Sequence, residues 1–394
     1  MTSSRCHRVV SMFAAALLVL SWGTGLRVRA GDELSSDDLD AGWICLFDGE
    51  AVTDADWHVA DGEIRVSGGT PGLLRTTTQF GDFELRFEFR ADAETNSGVF
   101  LRTPPVPTDP TKDCYELNIA AKGVSPFTTG SLVGRAKAPV LPTSDDWQPL
   151  RVVAEGGRFR VYQGDDQLVD YTDPAPLGRG YIGLQLNSGP VAFRNIHLRP
   201  LGMRPLFNGE NLDGWRVAPD HESVFTVEEG GILRVTDGNG QLETEATFDD
   251  FALQLQIKTN GRALNSGIFF RSIPGEFWQG YESQIQNAFL NDDRTQPADF
   301  GTGGFYRRQP ARKVVADDFT WFHKTLVADD RHMAVWVNGY QVSDFTDTRP
   351  ADENPRRGLR REAGTISLQG HDPTTDIEFR DLRIGPIPPR RLQD

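Results

Sequence analysis

Phe83-Glu84-Leu85-Arg86-Phe87-Glu88-Phe89-Arg90, followed after a short turn by Asn96-Ser97-Gly98-Val99-Phe100-Leu101-Arg102, decides the fold of this chain. The first stretch alternates apolar and polar residues without a break, the pattern of a strand with one face buried and one wet. In the second, a turn triplet precedes an apolar run; Gly supplies positive φ and Asn tolerates it. Both stretches return later, as Phe251-Ala252-Leu253-Gln254-Leu255-Gln256-Ile257-Lys258 and Asn265-Ser266-Gly267-Ile268-Phe269-Phe270-Arg271. Other landmarks recur in the same order. Leu46-Phe47-Asp48-Gly49 returns as Leu206-Phe207-Asn208-Gly209, Tyr115-Glu116 as Tyr281-Glu282, Leu184-Gln185 as Leu368-Gln369, and Phe193-Arg194-Asn195 as Phe379-Arg380-Asp381. The offset between copies grows from 160 to 186 residues, which points to loop insertions over a shared strand framework. A repeat of this length is a duplicated domain, because solenoid units run about 20–50 residues.

The rest of the chain carries the same period. Val335-Trp336-Val337-Asn338-Gly339-Tyr340-Gln341-Val342 reads as two strands around an Asn-Gly hairpin turn. With 40 Gly and 24 Pro as punctuation, the chain reads as all-β, two tandem sandwiches or jelly rolls. Short helical pieces are expected only around 106–113 and 290–299. The first domain is expected over 42–199 and the second over 204–386, joined by Pro200-Leu201-Gly202-Met203. So short a joint predicts that the two domains pack on each other. Residues 31–41 and 387–394 read as frayed ends.

Arg5 and Arg8, the apolar run Val9–Leu20 and Val28-Arg29-Ala30 together read as a signal peptide over residues 1–30. The run is too short to span a bilayer, which needs about 20 residues; an uncleaved anchor is the competing reading. Export to the periplasm or the extracellular space follows, with no membrane insertion after cleavage. The remaining 37 basic and 56 acidic side chains give a net charge of −19. Such a surface excludes nucleic acid, whose phosphates need a basic face, and fits a neutral ligand. Cys45 and Cys114 remain, either as a disulfide or as two buried thiols, and no Cys/His pattern resembles a zinc site.

Candidate chemistry concentrates in the second copy. In a strand, Glu282, Gln284 and Gln286 of Tyr281-Glu282-Ser283-Gln284-Ile285-Gln286-Asn287 share one face. Glu suits a general base and the amides suit hydroxyl binding; the plain alternative is a solvated strand face. Arg271, at a strand end, offers a fork for ligand oxygens or a surface ion pair. His371 beside Asp372 suits proton transfer near neutral pH, or is merely exposed. Gly301-Thr302-Gly303-Gly304-Phe305-Tyr306 can bring backbone close to a ligand. Trp278, Trp215 and Trp321 offer faces for a sugar ring, against the usual core role of Trp. In the first copy Asn118 stands for Gln284 and Asn187 for His371.

The ordered set Leu206-Phe207-Asn208-Gly209, Asn211-Leu212-Asp213-Gly214-Trp215, Asn265-Ser266-Gly267, Gly280-Tyr281-Glu282, Thr302-Gly303, Trp336-Val337-Asn338-Gly339 and Phe379-Arg380-Asp381 resembles the 3-keto-disaccharide hydrolase family, the 3-keto-glucoside lyase/hydratase domain. The resemblance covers nearly the whole chain beyond the leader. It implies two concanavalin-A-like jelly rolls, a saccharide or glycoside ligand, and cleavage of 3-keto-glycosides by elimination and hydration. It assigns catalysis to Glu282, His371 and Arg271, and substrate contacts to Gln284, Gln286, Asn287, Tyr281, Trp278 and Tyr306. A divalent cation is compatible with it, although no ligand set compels one. Where the family often has Asp, this chain has Asn287, and the first copy departs further, so the first domain is expected to be degenerate. The alternatives are a non-catalytic, lectin-like tandem glycan-binding protein and a structural spacer.

Overall fold

A computed structural model describes residues 8–11, 34–47, 56–142 and 144–391. The expected leader lies outside the described residues except for Arg8–Ser11, a strand pairing parallel with Gly72–Arg75. The chain divides into two compact units. The first holds Cys45–Leu201 and the C-terminal residues from Pro388; the second holds Leu34–Ile44 and Gly202–Ile387. Both are jelly-roll sandwiches of two sheets, antiparallel apart from that one parallel pair.

In the second unit the larger sheet runs Val224–Glu228, Ile232–Thr236, Asp376–Pro386, Phe251–Thr259, Phe322–Asp329, His332–Val337, Tyr340–Thr346. The smaller runs Trp215–Val217, Gly240–Thr244, Thr365–Gly370, Ser266–Ser272, Tyr281–Ile285. The alternation read from sequence sets the layers. Leu253, Leu255 and Ile257 of the larger sheet meet Ile268, Phe270, Ile366 and Leu368 of the smaller in one core. Each such side chain stabilises the fold by about 1.5–3 kcal/mol on burial. Asn338 and Gly339 take φ 48° and 77°, the doubly left-handed turn that matches strand twist.

The first unit repeats this strand order. Its smaller sheet has Gly72–Arg75, Tyr181–Ser188, Asn96–Thr103 and Tyr115–Ala120 where the second has Gly240–Thr244, Thr365–Gly370, Ser266–Ser272 and Tyr281–Ile285. Phe83, Leu85, Phe87 and Phe89 are all buried, as their alternation requires.

Three expectations are corrected. Residues 106–113 and 290–299 form turns and bends, without helix; their prolines, and Asx-type bonds such as Thr295 N donating to Asp293 Oδ1 (2.9 Å), favour tight turns instead. Before the first unit, residues 34–41 are ordered. Ser36–Asp40 is a helix with a capping box on Ser35 and Asp38, belonging to the second unit, where Asp40 Oδ1 bonds His323 Nε2 at 2.9 Å. The segment after the second unit is tied to the first, where Arg390 donates to the carbonyls of Arg102, Arg179 and Asp113. Cys45 and Cys114 are free thiols, and burial pushes the Cys114 thiol up.

Candidate functional site: a polar row on the smaller sheet of the second unit

Alternation turns Ile268, Phe270, Ile366, Leu368 and Leu242 to the core, so their neighbours face away from it. Strand register aligns these neighbours in two rows. Gln241 lies opposite Gln369, and Gly267 opposite Gln284. Glu243 lies opposite Ser367, Ser367 opposite Phe269, and Phe269 opposite Glu282. Glu282 bends across Gly267, where a Cβ would sit 2.7 Å from its Oε1; any side chain there would displace the carboxylate.

The rows are buried yet polar. Glu282 is 6% exposed, and its Oε2 accepts from Arg356 at 2.8 Å. Burial raises the Glu282 carboxyl above the usual range, and Arg356 and His371 oppose that rise. Arg356 also donates to the Trp278 carbonyl at 3.0 Å and lies over the Phe269 and Tyr306 rings. Beneath the strand, the fully buried Lys324 donates to the carbonyls of Ser283 (3.1 Å) and Gln284 (3.0 Å). Burial pushes its ammonium down to about 7, with Glu282 pulling the other way.

A hydrogen-bonded chain leads from the row to His371. Gln284 Nε2 donates to Asn265 Oδ1 (3.1 Å) and Asp299 Oδ2 (2.9 Å), and Asn265 Nδ2 lies 3.3 Å from His371 Nε2. His371 Nδ1 lies 2.9 Å from Asp372 Oδ2. A carboxylate only accepts, so the imidazole proton is assigned to Nδ1 and Nε2 carries the lone pair. Hydrogen bonds from Thr374 and His371 hold the Asp372 carboxyl below its usual range. Trp278 stacks on the imidazole with ring centroids 5.9 Å apart and planes 4° apart. Its backbone sits at φ 56°, costing about 1–3 kcal/mol in a bulky residue. Gln241 Oε1, accepting from Trp278 N at 2.8 Å, holds it there.

Three polar atoms of the row are buried with no partner among the described residues: Gln284 Oε1, Gln369 Oε1 and Ser367 Oγ. Buried polar groups are almost always satisfied, so three orphans on one face call for hydroxyls or water from outside the chain. The half-exposed Arg356, Trp278, His371 and Tyr306 lie around these buried atoms.

Of the residues expected from sequence, Glu282, Gln284, His371, Trp278 and Tyr306 therefore surround one spot. Six others do not join them. Arg271 is 0% exposed and sits at φ 47° in a bulge. The bulge turns its guanidinium to the carbonyls of Asp249, Asp330 and Arg360 and to Asp250 Oδ1 (2.8 Å), away from any ligand. Tyr281 faces the core, its hydroxyl donating to Asp347 at 2.7 Å. Gln286 is used by its own loop, bonding the Ala263 carbonyl and the Ala288 amide. Asn287 is used by Asp318 and Thr302. Trp215 is core, and Trp321 stacks under Arg380, a residue of the other sheet.

Sequence reasoning missed Arg356, Asp299, Asn265, Gln369, Gln241 and Lys324. The register of a duplicated sheet would have found two of them, since Gln241 and Lys324 occupy the positions of Leu73 and Leu150 in the first copy. Arg356 and Asp299 come from inserted loops, where periodicity is silent. Among the described residues no three His, Cys, Asp or Glu side chains are placed to hold a metal ion, so no step is routed through one. No helix among them is long and apolar enough to cross a membrane.

The family model for the 3-keto-alpha-glucoside-1,2-lyase-like domain matches twice, over residues 42–199 and 202–385. No curated protein matches the chain. Among solved structures it is similar to two proteins of Parabacteroides distasonis ATCC 8503 provisionally described as glycosyl hydrolases. One is 19% identical (47% of this chain, 94% of that one, TM-score 0.39) and the other 24% identical (47% and 98%, TM-score 0.38). It is also similar to the carbohydrate-binding module CBM66 of Bacillus subtilis, at 15% identity (43% and 93%, TM-score 0.32). With the family model covering nearly all of both jelly rolls, the chain belongs to the 3-keto-alpha-glucoside-1,2-lyase-like family as a tandem, carbohydrate-active protein.

Proposed function

We propose that the second unit cleaves 3-keto-glycosides on the polar row, in an exported protein whose first unit is inactive. A ketone at C3 acidifies the C2 proton. His371, oriented by Asp372, removes that proton through Nε2. The electron pair forms an enolate, whose oxygen is met by Arg356 in place of the buried Arg271. As the enolate collapses, the bond from C1 to the leaving oxygen breaks. Glu282, its carboxyl raised by burial, gives that oxygen its proton. Water then adds across the new double bond. The amides of Gln284 and Gln369 hold sugar hydroxyls. This differs from the paired-carboxylate displacement of common glycosidases.

The observation that carries the reading is the convergence of the Glu282–Arg356 pair and the His371–Asp372 pair on three unpartnered buried polar atoms. The test incubates the full chain with a panel of 3-keto-glycosides and follows leaving-group release. Turnover lost in His371→Ala supports the assignment; turnover unchanged in that variant refutes it. One observation favours a second reading, glycan binding without catalysis: the 2.8 Å ion pair already neutralises Glu282. Calorimetry showing intact glycans bound and no product released would select it.

A further inference from the structure

Two loops flank Glu282. Residues 305–313 are held to its strand by Tyr306 N, which donates to the Glu282 carbonyl at 3.0 Å, and residues 349–361 by the Arg356 ion pair. Together they carry nine Arg and Lys side chains against two acidic ones, in a chain where acids outnumber bases 56 to 41. The same turn in the first unit is Val133-Gly134-Arg135, where Val133 N donates to the Glu116 carbonyl at 3.0 Å. Gly134 takes φ 73° and its counterpart Arg307 takes φ 58°. A left-handed turn suits glycine, so the second copy carries an arginine there against the preference of its own backbone. Arg307 is exposed, and its guanidinium makes no hydrogen bond or ion pair with the described residues. It lies 5.2 Å from the centre of the Tyr306 ring, over which Arg356 also lies at 5.6 Å. The half-buried Arg308 donates only to the carbonyls of Arg307 (2.8 Å) and Arg356 (2.7 Å). Burial pushes its guanidinium below the ordinary value, and the neighbouring Arg349 and Arg356 cations add to that.

Crowded cations without carboxylate partners narrow what binds here. Fields from the distant acidic surface are screened beyond about 8 Å at physiological salt, so the nearby arginines set the local sign. A neutral hydroxyl accepts a hydrogen bond but leaves their mutual repulsion in place. An anion removes it, and the planar guanidinium fork matches a carboxylate, phosphate or sulfate. We propose that Arg307 and Arg308 bind an anionic group of the substrate, so that the second unit prefers acidic over neutral 3-keto-glycosides. The assignment rests on the cleavage reading above and adds charge as the property by which substrates are selected. Arg307 takes no part in the proton transfers, and its strained backbone is the mark of that separate role. The anion stands either on the oxidised ring, as a carboxylate at C6, or on the leaving group.

The test uses two matched pairs that separate these sources. Methyl 3-keto-glucoside is compared with methyl 3-keto-glucuronide, and the 3-keto-glucoside of para-hydroxybenzamide with that of para-hydroxybenzoate. Each is given to the full chain and to Arg307→Gly, which restores the first copy's residue and relieves the backbone, so the variant is expected to fold. In one pair kcat/KM for the acidic member should exceed that for the neutral one by about tenfold, as one charge-assisted contact supplies. Added salt should shrink that ratio, and Arg307→Gly should abolish it. No acidic preference in either pair, or a preference that Arg307→Gly leaves whole, overturns the proposal. If no substrate is turned over, the cleavage reading fails and the arginines are decided by binding. Calorimetric titration with the unoxidised forms of both pairs should then show tighter binding of an acidic member, lost in Arg307→Gly; equal binding within both pairs overturns it.

Discussion

The smaller sheets of the two units share a backbone plan and differ in what stands on it. Both keep a glycine under a buried glutamate, Gly98 under Glu116 and Gly267 under Glu282. Both keep a glutamine beside it, Gln185 and Gln369. Around this shared centre the first unit has Leu73, Arg75, Gly183, Asn118, Asn187 and Leu150, where the second has Gln241, Glu243, Ser367, Gln284, His371 and Lys324. Arg75 stacks on Tyr181, and Asn118 bonds the Phe127 carbonyl of its own loop. Glu116 is left without an arginine partner, and burial raises its carboxyl to about 7. The difference separates scaffold from chemistry. Arg102 and Arg271, at φ 51° and 47°, each donate to two carbonyls and an aspartate, Gly81, Gly156 and Asp82 in one and Asp249, Asp330 and Asp250 in the other, and Arg271 adds the Arg360 carbonyl. Tyr115 and Tyr281 each donate to a buried aspartate, at 2.6 and 2.7 Å. What both copies share in this way holds the fold; what only the second copy has gathers around Glu282.

The comparison breaks most sharply at the glutamates. Glu282→Gln is expected to lower kcat/KM on a 3-keto-glycoside by about 10²–10⁴, while Glu116→Gln leaves it unchanged. Steady-state kinetics of both variants checks this, and equal losses would give the two units equal roles. The arginines come next. Arg271→Met and Arg102→Met should each destabilise their own unit by at least about 1.5–3 kcal/mol, because each removes charge-assisted hydrogen bonds that join the turns around it. Arg356→Met should instead lower kcat by about 10²–10³, as loss of a charge-stabilising donor does, with a smaller fall in unfolding midpoint. Calorimetric melting beside kinetics separates the two kinds of arginine.

Glu116 and Lys324 should also respond to pH in opposite directions. Glu116 is raised from 4.5 to about 7, so its contribution is full below pH 4.5 and lost as pH climbs to about 7. Lys324 is lowered from 10.5 to about 7, so its contribution is full above pH 10.5 and lost as pH falls to about 7. Unfolding midpoints measured across pH should lose the first slope in Glu116→Gln and the second in Lys324→Met. The smallest effect is expected from the amides. Gln369→Leu should weaken substrate binding by about 0.5–1.5 kcal/mol, seen as a raised KM, and Gln185→Leu should do nothing to it.

Much of this was legible in the chain itself. Strict alternation in 83–90 and 251–258 gave both sandwiches, because a half-buried strand has no other way to satisfy its two faces. His371 beside Asp372 and Glu282 two residues from Gln284 pointed to the row, because period two puts alternate side chains on one face. Arg271 misled because a residue at a strand end faces outward only if the strand continues regularly. A left-handed bulge at that residue reverses its direction, and its duplication as Arg102 was the available warning. Arg356 and Asp299 were invisible because they reach the row from loops, whose path depends on tertiary contacts such as the Arg356–Trp278 carbonyl bond.

The most direct measurement follows the C2 proton itself. A 3-keto-glucoside is incubated in D2O with the full chain, with Glu116→Gln and with His371→Ala, and the C2–H signal is monitored by NMR. Loss of that signal at the wild-type rate in Glu116→Gln, and at least about 100-fold slower in His371→Ala, is the predicted result. Exchange that persists undiminished in His371→Ala, or that disappears in Glu116→Gln, would contradict a reaction carried by the second unit alone.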